Sequence, residues 1–397
     1  MSEAWIVEAV RTPIGRYGKS LALTRPDDLA GLVLRKAAER AQIPPQDIED
    51  VYFGCANQAG EDNRNVARMG VLLAGFPVEV PGCTVNRLCG SGLEAIAQAA
   101  RAIMLGDGDL YLAGGVESMS RAPHVLPKAE RAFPAGSLTV FDTALGWRMV
   151  NPKMEQLGHT DSLGQTAENL AGEYGISRVQ QDRFSLHSHQ KALRAIAEKK
   201  FADELVPVQT KAGLFSVDEC PRSDTSMEKL AALRPAFRKD GTITAGNASP
   251  LNDGAAALVL VSPAYAEKKG LQPLAKIRSI ATAGVPPRIM GIGPVPAVKK
   301  ALLRANLTLD DIGLIELNEA FAAQSLAVLH DLGIAAEDPR LNPNGGAIAL
   351  GHPLGCSGAR IATTLLHEMK RRDVRFGLAT MCIGVGQGIA VVFEKVE

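Results

Sequence analysis

Three things are missing from this 397-residue sequence: a surplus of charge, a long apolar run and any paired-cysteine motif. Lysine plus arginine and aspartate plus glutamate both total 43, so the formal charge is zero. Nucleic acids and anionic membranes select a basic excess, and neither is expected as a partner. No apolar stretch approaches the roughly 18 residues that a bilayer-crossing helix needs. The first residues, Met1 to Val7, lack a basic segment followed by a long apolar one, so no secretory signal is expected and the anticipated location is cytoplasmic. The six cysteines, Cys55, Cys83, Cys89, Cys220, Cys356 and Cys382, form no C-x-x-C pair and stand at no metal-ligand spacing with a histidine. Free thiols in a reducing compartment, and no metal, are the expectation. There is no phosphate-binding P-loop and no G-x-S-x-G element. What remains is ordinary globular material, 46% apolar and 22% charged, long enough for two or three compact units.

A weak internal repeat organises the chain. Residues 41–53 (AQIPPQDIEDVYF) resemble residues 305–317 (ANLTLDDIGLIEL), each preceded by a helical pattern and running into a strand-like apolar segment. Ser91-Gly92 and Ser357-Gly358 each open a further helical pattern at nearly the same offset, and a strand-like run follows each. The pattern predicts an α/β protein of two similar βαβ-rich halves with mainly parallel sheets. The expected division is 1–117 with 251–271 as the first half, an inserted domain over 118–250, and 272–397 as the second half. Ser177 with Gln180 predicts a capping box before a long helix, and residues 254–261 read as a buried strand returning to the first half.

Ligands of open α/β sheets bind beyond the carboxyl ends of strands, so reactive side chains there narrow the search. Cys89 precedes a helix in Asn86-Arg87-Leu88-Cys89-Gly90-Ser91-Gly92, where the helix N-terminus is expected to lower its pKa. His352 holds the matching place in the second half. Asn318 and Cys382 follow strand-like runs. A thiol beside an imidazole is an activated nucleophile, a second thiol can exchange a proton, and carboxamide or backbone N–H groups can hold an oxyanion. That set suits acyl transfer onto sulfur with enolate formation on a second acyl group. Gly384-Val385-Gly386-Gln387-Gly388 is no dinucleotide loop, because a strand pattern rather than a helix follows it. Cys83 and Cys356 read as packing residues, and the six histidines other than His352 as surface or structural.

Five segments in order (TVNRLCGSG at Cys89, GNASPLNDGAA at Ser249, NEAF at Asn318, NPNGGAIALGHPLG at His352 and CIGVGQG at Cys382) resemble the thiolases, and the similarity runs from EAVRTPIGR at residues 8–16 to the C-terminus. The resemblance implies a five-layered αβαβα thiolase fold whose loop domain covers coenzyme A, assembled as a homodimer or homotetramer. It implies Cys89 as acyl-accepting nucleophile, His352 as its activator, Cys382 as the group exchanging the α-proton, and Asn318 as holder of a water that forms one oxyanion site with His352. The N–H groups of Cys89 and Gly384 would form the other. Arg222, Ser226, Phe237, Ser249 and Leu163 match the family's coenzyme A contacts. Coenzyme A and acetyl-CoA would be substrates, with no permanently bound cofactor.

The implied activity is reversible thiolytic cleavage of a 3-oxoacyl-CoA through an acyl-cysteine. GVESMSRAP at 115–123 and FDTALGWRMVNPKM at 141–154 look most like the 3-oxoadipyl-CoA thiolases of aromatic catabolism. Such a substrate would need a cation near its far carboxylate, and Arg148 or Lys153 could serve. Ser162-Leu163-Gly164 stands where acetoacetyl-type enzymes often carry His-Met-Gly, which weighs against an acetoacetyl-CoA-forming acetyl-CoA acetyltransferase. A 3-ketoacyl synthase would not need Cys382, and a non-catalytic acyl-CoA binding protein would need neither thiol.

Overall fold

A computed structural model describes residues 3–396. Its main sheet runs in the order Leu314–Leu317, Phe376–Ile383, Gln387–Glu394, Ala275–Gly284, Trp5–Arg11, Asn252–Val261, Leu110–Ser118, Asp50–Gly54 and Cys83–Val85. Among the described residues, the two halves of this sheet pair through Trp5–Lys276 and Ile6–Ala275. Strand Asn252–Val261 is buried along its whole length, and its side chains alternate. Ala256, Leu258 and Leu260 enter one core, while Ala255, Ala257, Val259 and Val261 enter another.

Three cores separate five layers. Helices Pro26–Ala41 and Val66–Leu73 cover the outer face of the first half. Helices Pro294–Ala305 and Ala322–Leu332 cover that of the second. Between the half-sheets lie helices Ser91–Leu105 and Leu354–Arg372, whose Leu93, Ile96, Ile103, Ile361, Leu365 and Met369 share one core with residues of both. The two central helices meet at the repeated Ser-Gly pairs. A Cβ on Gly358 would lie 2.3 Å from the Leu93 backbone nitrogen, and one on Gly92 2.6 Å from that of Ala359. Only glycine permits that approach.

The sequence repeat corresponds to equivalent elements. Gln42 and Asn306 each end a helix in the left-handed conformation, with φ of 53° and 56°. A short 3-10 turn and a strand follow each one. The expected predominance of parallel pairing is not observed: among the described residues of the main sheet it is confined to Asp50–Gly54 with its two neighbours and to Leu314–Leu317 with Phe376–Ile383. Two connections account for this. A tight turn folds Gln387–Glu394 back on Phe376–Ile383, and Asn252–Val261 returns after residues 119–251 to pair antiparallel with Leu110–Ser118. Within the insertion, the Ser177–Gln180 capping box opens helix Arg178–Ala197 as expected. Helix Leu163–Glu173 packs on Ala322–Leu332, and Arg178–Ala197 on Ala347–Leu350, so the insertion seats on the second half.

Candidate active site

Cys89 sits on a short, tied-down loop between strand Cys83–Val85 and the first central helix. Asn86 accepts the Leu88 N–H at 2.9 Å and donates to the Ala56 carbonyl at 3.1 Å. Ser91 accepts the Arg87 N–H at 2.9 Å and donates to the Leu88 carbonyl at 2.6 Å. Leu88 is held at φ 47°, a conformation that side chains disfavour and that persists only under such restraint. It turns the chain so that Cys89 precedes the helix, buried yet lining a cleft with Leu88, Leu163, Leu354 and Gly384.

The second half supplies the opposite wall. Strand Phe376–Ile383 carries Cys382, and the following turn carries Gly384, with Val385 at φ 62° and Gly386 at φ 78°. The Gly384 N–H favours the Cys89 thiolate, and Cys382 lies close enough to Cys89 to feel its charge. The Asn318 N–H donates to the Thr380 carbonyl at 3.0 Å, which fixes NEAF beside the same strand. Asn318 Nδ2 stands 3.5 Å from His352 Nδ1, and Ser357 Oγ stands 2.6 Å from that nitrogen. The His352 N–H donates to Asn252 Oδ1 at 2.9 Å. Cys89 and Gly384 thus line one cleft, while Asn318 stands beside His352 and next to the strand that carries Cys382.

Burial dominates the electrostatics. It pushes the Cys89 thiol up to about 11, against the opposing pull of the Gly384 N–H. The Cys382 thiol is also raised, by burial and then by Cys89. His352 is pushed down to about 3 by burial, with Arg360 adding to the effect. The expected lowering of the Cys89 pKa by the helix terminus is therefore outweighed: desolvation penalises the thiolate more than local N–H groups favour it. Neutral thiol and neutral imidazole face the same chemistry at ordinary pH.

The other sequence-derived residues distribute unevenly. Leu163 lines the Cys89 cleft. Phe237 stacks edge-on against Phe321, 6.2 Å between ring centroids, and closes over Gly164, where an added Cβ would meet the ring at 2.2 Å. Arg222 lines a separate cleft with Lys229, Ala248 and Pro250, and its N–H donates to His189 Nδ1 at 3.1 Å. Ser226 caps helix Met227–Ala231 through the Lys229 N–H, 3.3 Å away. The Ser249 N–H donates to the Ala320 carbonyl at 3.0 Å. Arg148 lines the Cys89 cleft, whereas Lys153 is exposed and does not. Cys83, expected to pack, is instead exposed on the edge strand; Cys356 is fully buried in the central core.

With this geometry established, comparison decides the family. Residues 4–264 match the family model "Thiolase, N-terminal domain" and residues 271–395 match "Thiolase, C-terminal domain". The chain belongs to the thiolase family. It is 56% identical to the "3-oxoadipyl-CoA/3-oxo-5,6-dehydrosuberyl-CoA thiolase" of Escherichia coli strain K12, over 100% of each chain. Its fold matches the crystal structure of the Bacillus anthracis acetyl-CoA acetyltransferase with a TM-score of 0.94 and 44% identity, covering 100% of this chain and 99% of that one. The human mitochondrial 3-ketoacyl-CoA thiolase in complex with CoA matches with a TM-score of 0.94 and 39% identity, over 100% and 98% of the two chains. As a thiolase the protein is an acyltransferase that cleaves and forms carbon–carbon bonds between acyl groups carried on coenzyme A.

The thiolase also relies on buried groups that the sequence reading passed over. Glu117 accepts the N–H groups of Ala56 and Asn57, both at 3.0 Å, and of Gly355 at 2.8 Å, tying the His352 loop to the floor of the Cys89 cleft. Its carboxyl is raised to about 7 by burial. Ligand atoms of Cys55, Asp62 and Glu117 lie within 4.8 Å of one another, but Glu117 already accepts those three N–H groups. Glu319 bridges Ser188 at 2.6 Å and Asn342 at 2.8 Å, holding NEAF against the insertion. Asn252 and Glu319 stood inside quoted motifs, so motif membership was their signal. His159 lines the cleft although it was read as surface or structural, and nothing around it in the sequence marks it.

Proposed function

We propose that the protein is a degradative thiolase acting on 3-oxoadipyl-CoA, cleaving it with coenzyme A to succinyl-CoA and acetyl-CoA. The observation that carries the chemistry is that the Gly384 N–H acts on Cys89 and Cys89 acts on Cys382, with Asn318 Nδ2 3.5 Å from His352 Nδ1. In the proposed sequence His352 takes the Cys89 proton as sulfur attacks the keto carbon. In the tautomer with Nδ1–H donating to the Ser357 hydroxyl, Nε2 is free to receive that proton. The carbon–carbon bond then breaks, its electron pair forming the acetyl-CoA enolate while the acyl group stays on Cys89. The protonated imidazole donates to the enolate oxygen. Asn318 Oδ1, buried with no hydrogen-bond partner among the described residues, is an acceptor suited to a water completing that site. Cys382 protonates the enolate carbon. Coenzyme A finally gives its thiol proton to the Cys382 thiolate and attacks the acyl carbon, the N–H groups of Cys89 and Gly384 holding the tetrahedral oxyanion, and the Cys89 sulfur leaves to be reprotonated by the His352 imidazolium.

The substrate assignment is supported by the 56% identity to a relative named for 3-oxoadipyl-CoA. The likeness to an acetyl-CoA acetyltransferase favours acetoacetyl-CoA as the rival substrate. In this reading residues 118–250 cover coenzyme A, with Arg222, Ser226, Phe237 and Ser249 along its path and arginine suited to its phosphates. Assembly as a homodimer or homotetramer is supported by exposed Phe133, Leu138 and Val140 and by the one-sided pairing of edge strand Cys83–Val85. All six cysteines are free thiols, which suits action in the cytoplasm. The test is thiolysis of acetoacetyl-, 3-oxohexanoyl-, long-chain 3-oxoacyl- and 3-oxoadipyl-CoA, compared by kcat/KM. The 3-oxoadipyl thioester should lead; a lead for acetoacetyl-CoA would replace the assignment with the acetyltransferase reading.

A further inference from the structure

Resting on that substrate reading, we propose that Arg148 is the specificity-determining residue, a cation that anchors the carboxylate at the far end of the acyl chain. The side chain lines the same cleft as Cys89. It is half-buried and has no acidic partner among the described residues. Its one hydrogen bond is a long one, 3.4 Å from Nη2 to Asn57 Oδ1. Most of the guanidinium's donors are therefore free for an incoming acceptor.

The group is nevertheless aimed. Asn57 is buried, and its Nδ2 donates to the carbonyl and hydroxyl of Thr143 at 3.1 and 3.2 Å, which fixes Oδ1 toward Arg148. The neighbouring Trp147 is tied by its indole N–H to the Asp161 carbonyl at 3.2 Å. Asp161 lines the cleft too, but its carboxylate is engaged by Asn169 Nδ2 at 3.1 Å. Leu88, Leu145, Leu163, Met290 and Val385 supply apolar wall. A methylene chain attached to Cys89 and ending in a carboxylate matches that lining, because a half-desolvated guanidinium pairs with carboxylate in a planar fork. A chain ending in methyl leaves the guanidinium unpaired and gains nothing from it. Lys153, the alternative cation, is exposed outside the cleft.

The experiment compares 3-oxoadipyl-CoA with 3-oxohexanoyl-CoA, the same chain length without the carboxylate, in wild type, Arg148→Gln and Arg148→Lys. Loss of a charged hydrogen-bonded pair should lower the ratio of the two kcat/KM values by about 10- to 100-fold in R148Q, with R148K recovering part of it. Acetylation of Cys89 by acetyl-CoA, which carries no carboxylate, reports whether each variant is folded. A ratio that stays at the wild-type value in R148Q, or in a folded R148K should R148Q not fold, overturns the anchor and leaves the substrate reading standing. A wild type with no preference for the dicarboxylic thioester overturns both.

Discussion

At Cys89 two influences oppose each other. The Gly384 N–H and the residue's own N–H favour the thiolate, while burial favours the thiol, and burial prevails. With the thiol near 11 and His352 near 3, the ligand-free pair is uncharged across the neutral range. Because only the thiolate alkylates, iodoacetamide labelling of Cys89 should accelerate steadily from about pH 6 to about pH 9, by up to tenfold per unit, with no acid plateau. Peptide mass spectrometry of the labelled site gives the rates. A rate already flat at about pH 6 would mean a preformed thiolate–imidazolium pair. The sequence made Cys89, His352, Asn318 and Cys382 legible through the ordered motifs that hold them, although His352 follows the short helix Ala347–Leu350 and Cys382 lies inside strand Phe376–Ile383 rather than after it. It did not reveal the sign of the Cys89 shift, since desolvation depends on what covers a residue. Glu117 was illegible for a similar reason: its three N–H donors come from a loop after strand Asp50–Gly54 and from the first turn of helix Leu354–Arg372.

Among the elements, the crossing of the two central helices fixes how Cys89 and the His352 loop face each other. Both helices place glycine at the contact, and neither backbone can retreat without disturbing the core around Leu93 and Ile361. Gly358→Ala should therefore destabilise the fold by about 3 kcal/mol, the upper range for an overpacked core. Urea denaturation checks this, and a change within about 0.5 kcal/mol would show that the crossing is looser than the geometry requires. The repeated Ser-Gly pairs were visible in the sequence, but that the two glycines oppose each other was not. Periodicity identified helices and strands without direction, which is why parallel pairing was overestimated. The turn at Gly384–Gly386 is too short for a crossover and enforces an antiparallel return.

For the whole molecule, two related halves supply different groups to the proposed chemistry: Cys89 from the first, and His352, Asn318 and Cys382 from the second. The internal repeat made this architecture readable, and the ordered motifs made the family readable. Arg148 was one of two cations raised by the substrate's chemistry, and only its position in the cleft separates it from Lys153. The proposed chemistry divides the labour between the thiols, with sulfur 89 carrying the acyl group and sulfur 382 moving the proton. The most direct measurement follows deuterium entering the methyl group of acetyl-CoA in heavy water, for wild type and Cys382→Ser, alongside acetylation of Cys89. The variant should still acetylate Cys89 while its exchange falls at least about 100-fold, as for loss of a positioned acid–base group. Exchange at the wild-type rate, or acetylation that falls as steeply as exchange, would contradict the assignment of the two sulfurs.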